Sequence, residues 1–272
     1  MLFISHGGGP LPLLGDPGHQ DMMAVLRGFA DQLRRPSAIL VISAHWEASV
    51  VTITAGDQPP LIHDYHGFPP EAYRIRYPCP GEPALAGRIQ EMLEQAGIPA
   101  RLDPRRGFDH GMFVPLKLMY PEADIPCVQL SLVDTLDAET HLEIGRALQG
   151  LNYENLLVIG SGFSFHNMQA FFEANTPEVE ARNQAFENWL EQTCTDPSLS
   201  ESRRWQLLAE WDRCAPYARF CHPREEHLLP LHVCYGLAGK ACDSSVSTRI
   251  LGKQSGMFYW GMVERGWTAA PL

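Results

Sequence analysis

The chain has 272 residues, 45% of them hydrophobic and 19% charged, a composition that suits a soluble globule with a sizeable core. Its 21 basic and 32 acidic residues leave a formal charge of −11, and no Lys/Arg-rich stripe offers a footprint for nucleic acid. No apolar run approaches the roughly 20 residues that cross a bilayer, which excludes a membrane-spanning helix.

The first predicted strand is 2–5, where Leu2-Phe3-Ile4 runs into Ser5-His6-Gly7-Gly8-Gly9. This start lacks the charged head, long apolar stretch and small-residue cleavage site of a signal peptide. Residues 21–35 place Met22, Val25, Leu26, Phe29 and Leu33 at helical spacing. A strand at 38–43 ends in Ser43-Ala44-His45-Trp46-Glu47, and one at 50–55 alternates through Val51-Thr52-Ile53-Thr54, which predicts one wet face. The segment 57–81 is rich in Pro, Gly and aromatics and reads as an ordered functional loop, a wall over a site.

A helix is expected from Pro83 to Gly97, with Leu85, Ile89, Met92 and Leu93 inward. Phe108-Asp109-His110-Gly111 reads as a turn before the apolar stretch Met112 to Leu118. Further strands are predicted at 126–131 and 156–160, with a helix over 138–149 behind Asp137 as N-cap. Gly160-Ser161-Gly162 leads to His166-Asn167, and another helix runs from Thr176-Pro177 to about Cys194. An apolar helix-like run ends at Gly239, and 246–263 reads as two strands turned at Gly252 to Gly256. Strand-like runs alternating with helical patterns predict a single α/β domain over residues 1–272, with helices flanking a mixed, largely parallel sheet. The seven cysteines never adopt C-x-x-C spacing, so free thiols in a reducing cytoplasm are expected.

Ligands in open α/β sheets bind outside the carboxyl ends of the strands, and imidazole is the commonest metal ligand. His6 and His45 each follow a strand-like run among small residues, so both read as metal ligands. The segment His222 to His232 holds three histidines and two carboxylates, and His227 is chosen as the third ligand. His222 and His232 read as packing or supporting groups. His110, beside Asp109, and His166, in a small-residue turn, suit acid–base roles on a bound substrate. His63 and His66 could border the site through the aromatic loop. His141 reads as part of a solvated helix face between Glu139 and Glu143. A Walker pattern, a G-x-S-x-G elbow and an H-E-x-x-H motif are all absent.

Ser5-His6-Gly7, Ser43-Ala44-His45-Trp46, Phe108-Asp109-His110-Gly111, Gly160-Ser161-Gly162 with His166-Asn167, and Glu226-His227-Leu228-Leu229-Pro230-Leu231 together resemble the class III extradiol ring-cleavage dioxygenases. The LigB-like DOPA 4,5-dioxygenase branch is the closest in pattern, and the likeness runs from His6 to about Met262. Ile62-His63-Asp64-Tyr65 with Gly67-Phe68-Pro69, and Tyr120-Pro121 with Asp124-Ile125-Pro126, extend it.

The resemblance implies one Fe(II) on His6, His45 and His227, with His110 and His166 catalytic. His166 would assist catechol deprotonation, and His110 would supply a proton during O–O cleavage. Many class III enzymes use two His and a Glu, which keeps Glu226 as a minor alternative ligand. An all-histidine site also accommodates Zn(II) on purification. The implied partners are a small-molecule catechol and O2, without nucleic acid or membrane, and a homo-oligomer is compatible with the sequence. Arg74, Arg76 and Lys117 are candidate counter-charges for a charged ring substituent. The rival readings are a mononuclear zinc hydrolase with His110 or Glu47 as base, and a non-catalytic metal-binding member of the fold.

Overall fold

A computed structural model describes residues 1–261. Strands β1 (Leu2–Ser5), β2 (Ala38–Ala48), β3 (Val51–Thr54), β4 (Ala100–Asp103), β5 (Cys127–Val133), β6 (Leu156–Gly162), β7 (Ser244–Ile250) and β8 (Lys253–Tyr259) form one sheet. Its order is β4-β3-β5-β2-β6-β1-β8-β7. The centre, β5-β2-β6-β1, is parallel throughout. β3 and β4 also pair in parallel, while β3 meets β5, and β8 meets β1 and β7, antiparallel. The expected mixed, largely parallel α/β sheet is therefore the fold of this chain.

The central strands are apolar at successive positions because both faces are covered. Along β2, Ile39 and Val41 face one core and Leu40 and Ile42 the other. The first core packs under α1 (Gln20–Gln32), the aromatic loop and α3 (His110–Met119). The second lies under α2 (Pro83–Gln95), α4 (Ala138–Ala147), α6 (Pro177–Thr195) and α10 (Leu229–Ala238). Between these come the short α5 (Met168–Phe172), α7 (Glu201–Ala209), α8 (Trp211–Cys214) and α9 (Ala218–Cys221). In α10, Leu229, Leu231 and Val233 are all fully buried, and each such side chain contributes about 1.5–3 kcal/mol.

Local signals placed several helix ends. The Asp137 side chain accepts from Thr140 N at 2.7 Å, capping α4, and Thr176 caps α6. Gly97 and Gly239 turn left-handed just beyond α2 and α10.

Four expectations need correction. β2 continues to Ala48, and its register against β5 shifts between Ile42 and Glu47, so His45 lies in a strand irregularity rather than after the strand. β3 has no wet face. Thr52 and Thr54 are buried because Thr52 N donates to Ser131 Oγ at 2.9 Å and Gln129 N donates to Thr54 Oγ1 at 2.8 Å. His110 opens helix α3 instead of lying in a turn. That helix is buried nearly all round and contains Pro115, so it shows no amphipathic period. Finally, the β7–β8 hairpin turns at Leu251-Gly252, and Gly256 lies inside β8. Residues 262 and 263 of that predicted hairpin, and the end of the motif likeness at Met262, lie outside the described residues.

Candidate metal centre

The parallel strands β1, β2 and β6 deliver their carboxyl ends to one edge of the sheet. His6 follows β1, and its backbone N–H donates to Gly162 O at 3.0 Å. His45 rides the irregular end of β2. His227 enters from the segment before α10, and its carbonyl accepts from Phe163 N at 2.9 Å. That approach requires glycine at the end of β6: a Cβ on Gly162 would lie 2.1 Å from His227 O.

The three rings converge through their Nε2 atoms. His45 Nε2 is 3.0 Å from His6 Nε2 and 3.3 Å from His227 Nε2. Ser161 Oγ gives its proton to the Gly111 carbonyl, so at 3.0 Å it accepts from His6 Nδ1–H, and the His6 lone pair sits on Nε2. His227 Nδ1 donates to Glu226 Oε1 at 2.9 Å, which leaves its Nε2 lone pair facing inward too.

Burial first, and then the charge of neighbouring histidines, pushes both His6 and His227 well below the ordinary histidine range. His45 is lowered well below it as well, by burial and then His110, against the opposing pull of Asp64. Neutral imidazoles with facing lone pairs repel, and one proton on His45 could bridge to only one neighbour. A cation would resolve the arrangement: two nitrogens each about 2.1 Å from one ion stand about 3.0–3.4 Å apart. The donor set, three neutral nitrogens without thiolate, fits Fe(II) or Zn(II).

His110 and His166 flank this centre. The His110 and His45 ring centroids are 3.9 Å apart, and His166 stacks on His227 at 3.4 Å with an interplanar angle of 17°. The five predicted histidines thus form one cluster. Two separate groupings, His6–His45–His110 and His166–Glu226–His227, also have metal-ligand spacing. The convergent Nε2 atoms, with the Nδ1 partners of His6 and His227, favour His6, His45 and His227 as the donor set.

Each flanking histidine has a carboxylate. His110 Nδ1 lies 2.9 Å from Asp64 Oδ1, and His166 Nδ1 lies 3.4 Å from Glu226 Oε1. Burial would raise the Asp64 carboxyl, but the His110 ring hydrogen bond, its charge and its backbone N–H outweigh this and hold it at about 2. Glu226 is likewise lowered despite burial, chiefly by His166 and also by Arg224. Asp109, expected beside His110, instead points inward to Ser43 Oγ at 2.8 Å and to Gln129, because successive residues at a helix start face different ways. Burial, and then the charge of Asp64, raises its carboxyl.

The remaining histidines and Glu47 took other places in the fold. His141 is fully buried; its Nδ1 donates to Asp137 O at 2.7 Å and its Nε2 accepts from Val133 N at 3.1 Å. His222 and His232 are buried on backbone carbonyls, Ser164 O at 2.6 Å and Leu208 O at 2.9 Å. His63 and His66 do not line the cavity in front of the cluster. His19, given no role from sequence, accepts from Gly8 N at 2.9 Å and so shapes the Gly7–Gly9 loop. Glu47 is tied up by Arg224 in a two-pronged pair at 2.5 and 2.6 Å, which removes it as a free base.

The cavity before the histidines has a volume of about 370 Å³. Gly7, Gly8 and Gly9 line one part, with Tyr65 against His110 and Phe68 against Tyr65, and Phe163 against His166 and Phe171 against Phe163. The aromatic loop supplies Tyr65 and Phe68, so it does form a wall.

Residues 2–263 match the family of the catalytic LigB subunit of aromatic ring-opening dioxygenase. The chain belongs to the LigB family. It is 41% identical to the dioxygenase tasH of Hapsidospora irregularis, over 96% of this chain and 85% of that protein. It is 39% identical to the 4,5-DOPA dioxygenase extradiol of Beta vulgaris, over 88% of this chain and 86% of that one. The crystal structure of an uncharacterized protein from Escherichia coli K12 superposes with a TM-score of 0.73 at 30% identity, over 96% of this chain and 98% of that one. LigB-family membership places the chain among dioxygenases. Sequence reading of this LigB-family chain missed Asp64 as the partner of His110, although Asp64 lies in the Ile62-His63-Asp64-Tyr65 stretch that carries part of the family likeness.

Proposed function

We propose that this chain is a non-haem Fe(II)-dependent extradiol dioxygenase that opens a catechol ring with O2 to a muconic semialdehyde. The carrying observation is a three-Nε2 cluster flanked by two further histidines, each backed by a carboxylate. The proposed ligands are His6, His45 and His227. When bound there, Fe(II) supplies the electronic coupling between an ionised catechol and O2. Zn(II) is an expected occupant of purified protein. The net reaction breaks one ring C–C bond beside the diol, both oxygen atoms enter the product, and no further co-reactant is required.

The protein residues divide the proton chemistry. His166 takes a catechol hydroxyl proton at its outward nitrogen, supported by Glu226 on Nδ1. His110, held by Asp64, carries the proton delivered as the O–O bond breaks. The aromatic walls orient the ring and exclude water. We assign this activity to one catalytic domain over 1–272. A cytoplasmic setting is supported by the seven unpaired cysteines, and among the described residues no helix is long and apolar enough to cross a membrane.

The test is oxygen uptake by metal-stripped protein reloaded anaerobically with Fe(II) or Zn(II), against a catechol panel including L-DOPA. Uptake with a growing yellow chromophore is expected with Fe(II) alone. No uptake across the panel by iron-loaded protein overturns the proposal. An iron-loaded His110→Ala variant should lose about 10²–10⁴-fold in turnover.

A further inference from the structure

The titratable groups that line the cavity are the five clustered histidines and Tyr65. Among the described residues, no Lys, Arg, Asp or Glu lines it. The carboxylates nearest the histidines, Asp64 and Glu226, are engaged by His110, His166 and His227. Tyr65 is no free polar contact either, since its hydroxyl donates to Ala72 O at 2.6 Å.

The counter-charges expected from sequence lie elsewhere. Arg76 borders a separate groove with Pro59 and Ile75, Lys117 Nζ donates to Arg76 O at 3.1 Å, and Arg74 closes a short 3-10 turn at Pro70–Arg74. Arg224, which reaches Glu226 at 3.4 Å, is held by Glu47.

Besides the histidines, the glycine loop and Tyr65, the lining is apolar and includes Phe68, Phe163, Met168, Phe171, Phe172 and Leu251. Met168 and Phe172 both belong to α5 and stand 53% and 82% exposed at the cavity. An amino-acid or carboxylate substituent placed against this lining would find no charged side chain to pair with among the described residues. An alkyl or aryl group would cover exposed apolar surface.

Resting on the dioxygenase reading above, we infer that the substrate is a catechol bearing an uncharged, apolar ring substituent, in place of the zwitterionic side chain of DOPA. The lining made by Phe68, Met168, Phe171, Phe172 and Leu251 is the specificity surface for that group.

The test compares four catechols of similar size: 4-propylcatechol, its carboxylate analogue hydrocaffeate, dopamine and L-DOPA, with bare catechol as baseline. Iron-loaded enzyme is assayed for kcat/KM, and binding is titrated anaerobically in parallel. Each buried methylene contributes about fourfold, so 4-propylcatechol is expected at least about tenfold above catechol in both readouts. The three charged analogues are expected about tenfold or more below 4-propylcatechol. Met168→Lys, at an exposed position of α5, is expected to shift the ratio about fivefold or more toward hydrocaffeate.

Ring opening in which a charged analogue binds and reacts as well as 4-propylcatechol overturns this inference alone. Failure of iron-loaded protein to open any of the rings overturns the proposed function, and this inference with it.

Discussion

Asp64 meets His110 twice: one carboxylate oxygen lies 2.9 Å from the ring Nδ1 and accepts from the backbone N–H at 3.0 Å. It therefore fixes both the start of α3 and the ring orientation, leaving Nε2 for the reaction. Asp64→Asn is expected to lower kcat about 10–100-fold, the usual cost of removing such a partner. Metal content should stay unchanged, because Asp64 Oδ2 is 4.0 Å from His45 Nδ1, beyond hydrogen-bond range. Steady-state kinetics alongside metal analysis checks this; an unaltered kcat counts against a proton role for His110.

Glu226 serves two rings, accepting from His227 Nδ1 at 2.9 Å with the same oxygen that faces His166. Glu226→Gln should weaken metal binding about 10–100-fold by reducing the basicity of His227. Chelator competition measures it. If Glu226 were itself the ligand and His227 were not, His227→Ala would retain the metal; it is expected to lose it.

Gly162 lets the His227 carbonyl approach β6. In Gly162→Ala the new Cβ would meet that oxygen at 2.1 Å, so the strand end and His227 must separate. A stability loss of about 1–3 kcal/mol is expected from overpacking, together with weaker metal retention. Urea unfolding and metal analysis read both effects, and full retention of both would show that the close approach is dispensable.

Glu187 is buried in α6 with Oε1 lacking any partner. Burial raises its carboxyl to about 8, outweighing the hydrogen bonds from Ser164 and Gly256. The folded chain thus holds a proton that the unfolded chain releases above its ordinary value near 4.5. This contribution to stability is complete below that value and is lost as pH rises to about 8, with a slope of about 1.4 kcal/mol per pH unit at most. Glu187→Gln should flatten the fall in Tm between pH 6 and pH 8, and stabilise the fold at the alkaline end. An unchanged slope would mean that Glu187 is not the group responsible.

Much of the centre was legible because it is built from local patterns. His6 and His166 follow parallel strands whose apolar runs are buried on both faces, and the Asp137 and Thr176 caps announce α4 and α6. The five histidines were legible from their neighbours and from the family likeness. Their chemical pairing was not. Asp64 lies 46 residues before His110 in the chain, and the adjacent Asp109 was the natural local choice.

His141, flanked by acidic residues, looked solvated until α4 packed under α10 and buried the ring, with Val133 at the end of β5 donating to it. Thr52 and Thr54 looked wet until Ser131 and Gln129 met them across the sheet. The all-round burial of α3 hid its helical period, and the shift in β2 register emerged only where β5 constrained it.

The sequence by itself determined the α/β order, the buried strands and the imidazoles at their ends, because side-chain periodicity and capping act within a few residues. Tertiary structure alone decided which ring nitrogens of the ligand histidines turn inward, which carboxylates hold His110, His166 and His227, and that the cavity beyond is uncharged along its described lining. Hydrogen bonds and desolvation act through space, between groups the chain separates by tens to hundreds of residues.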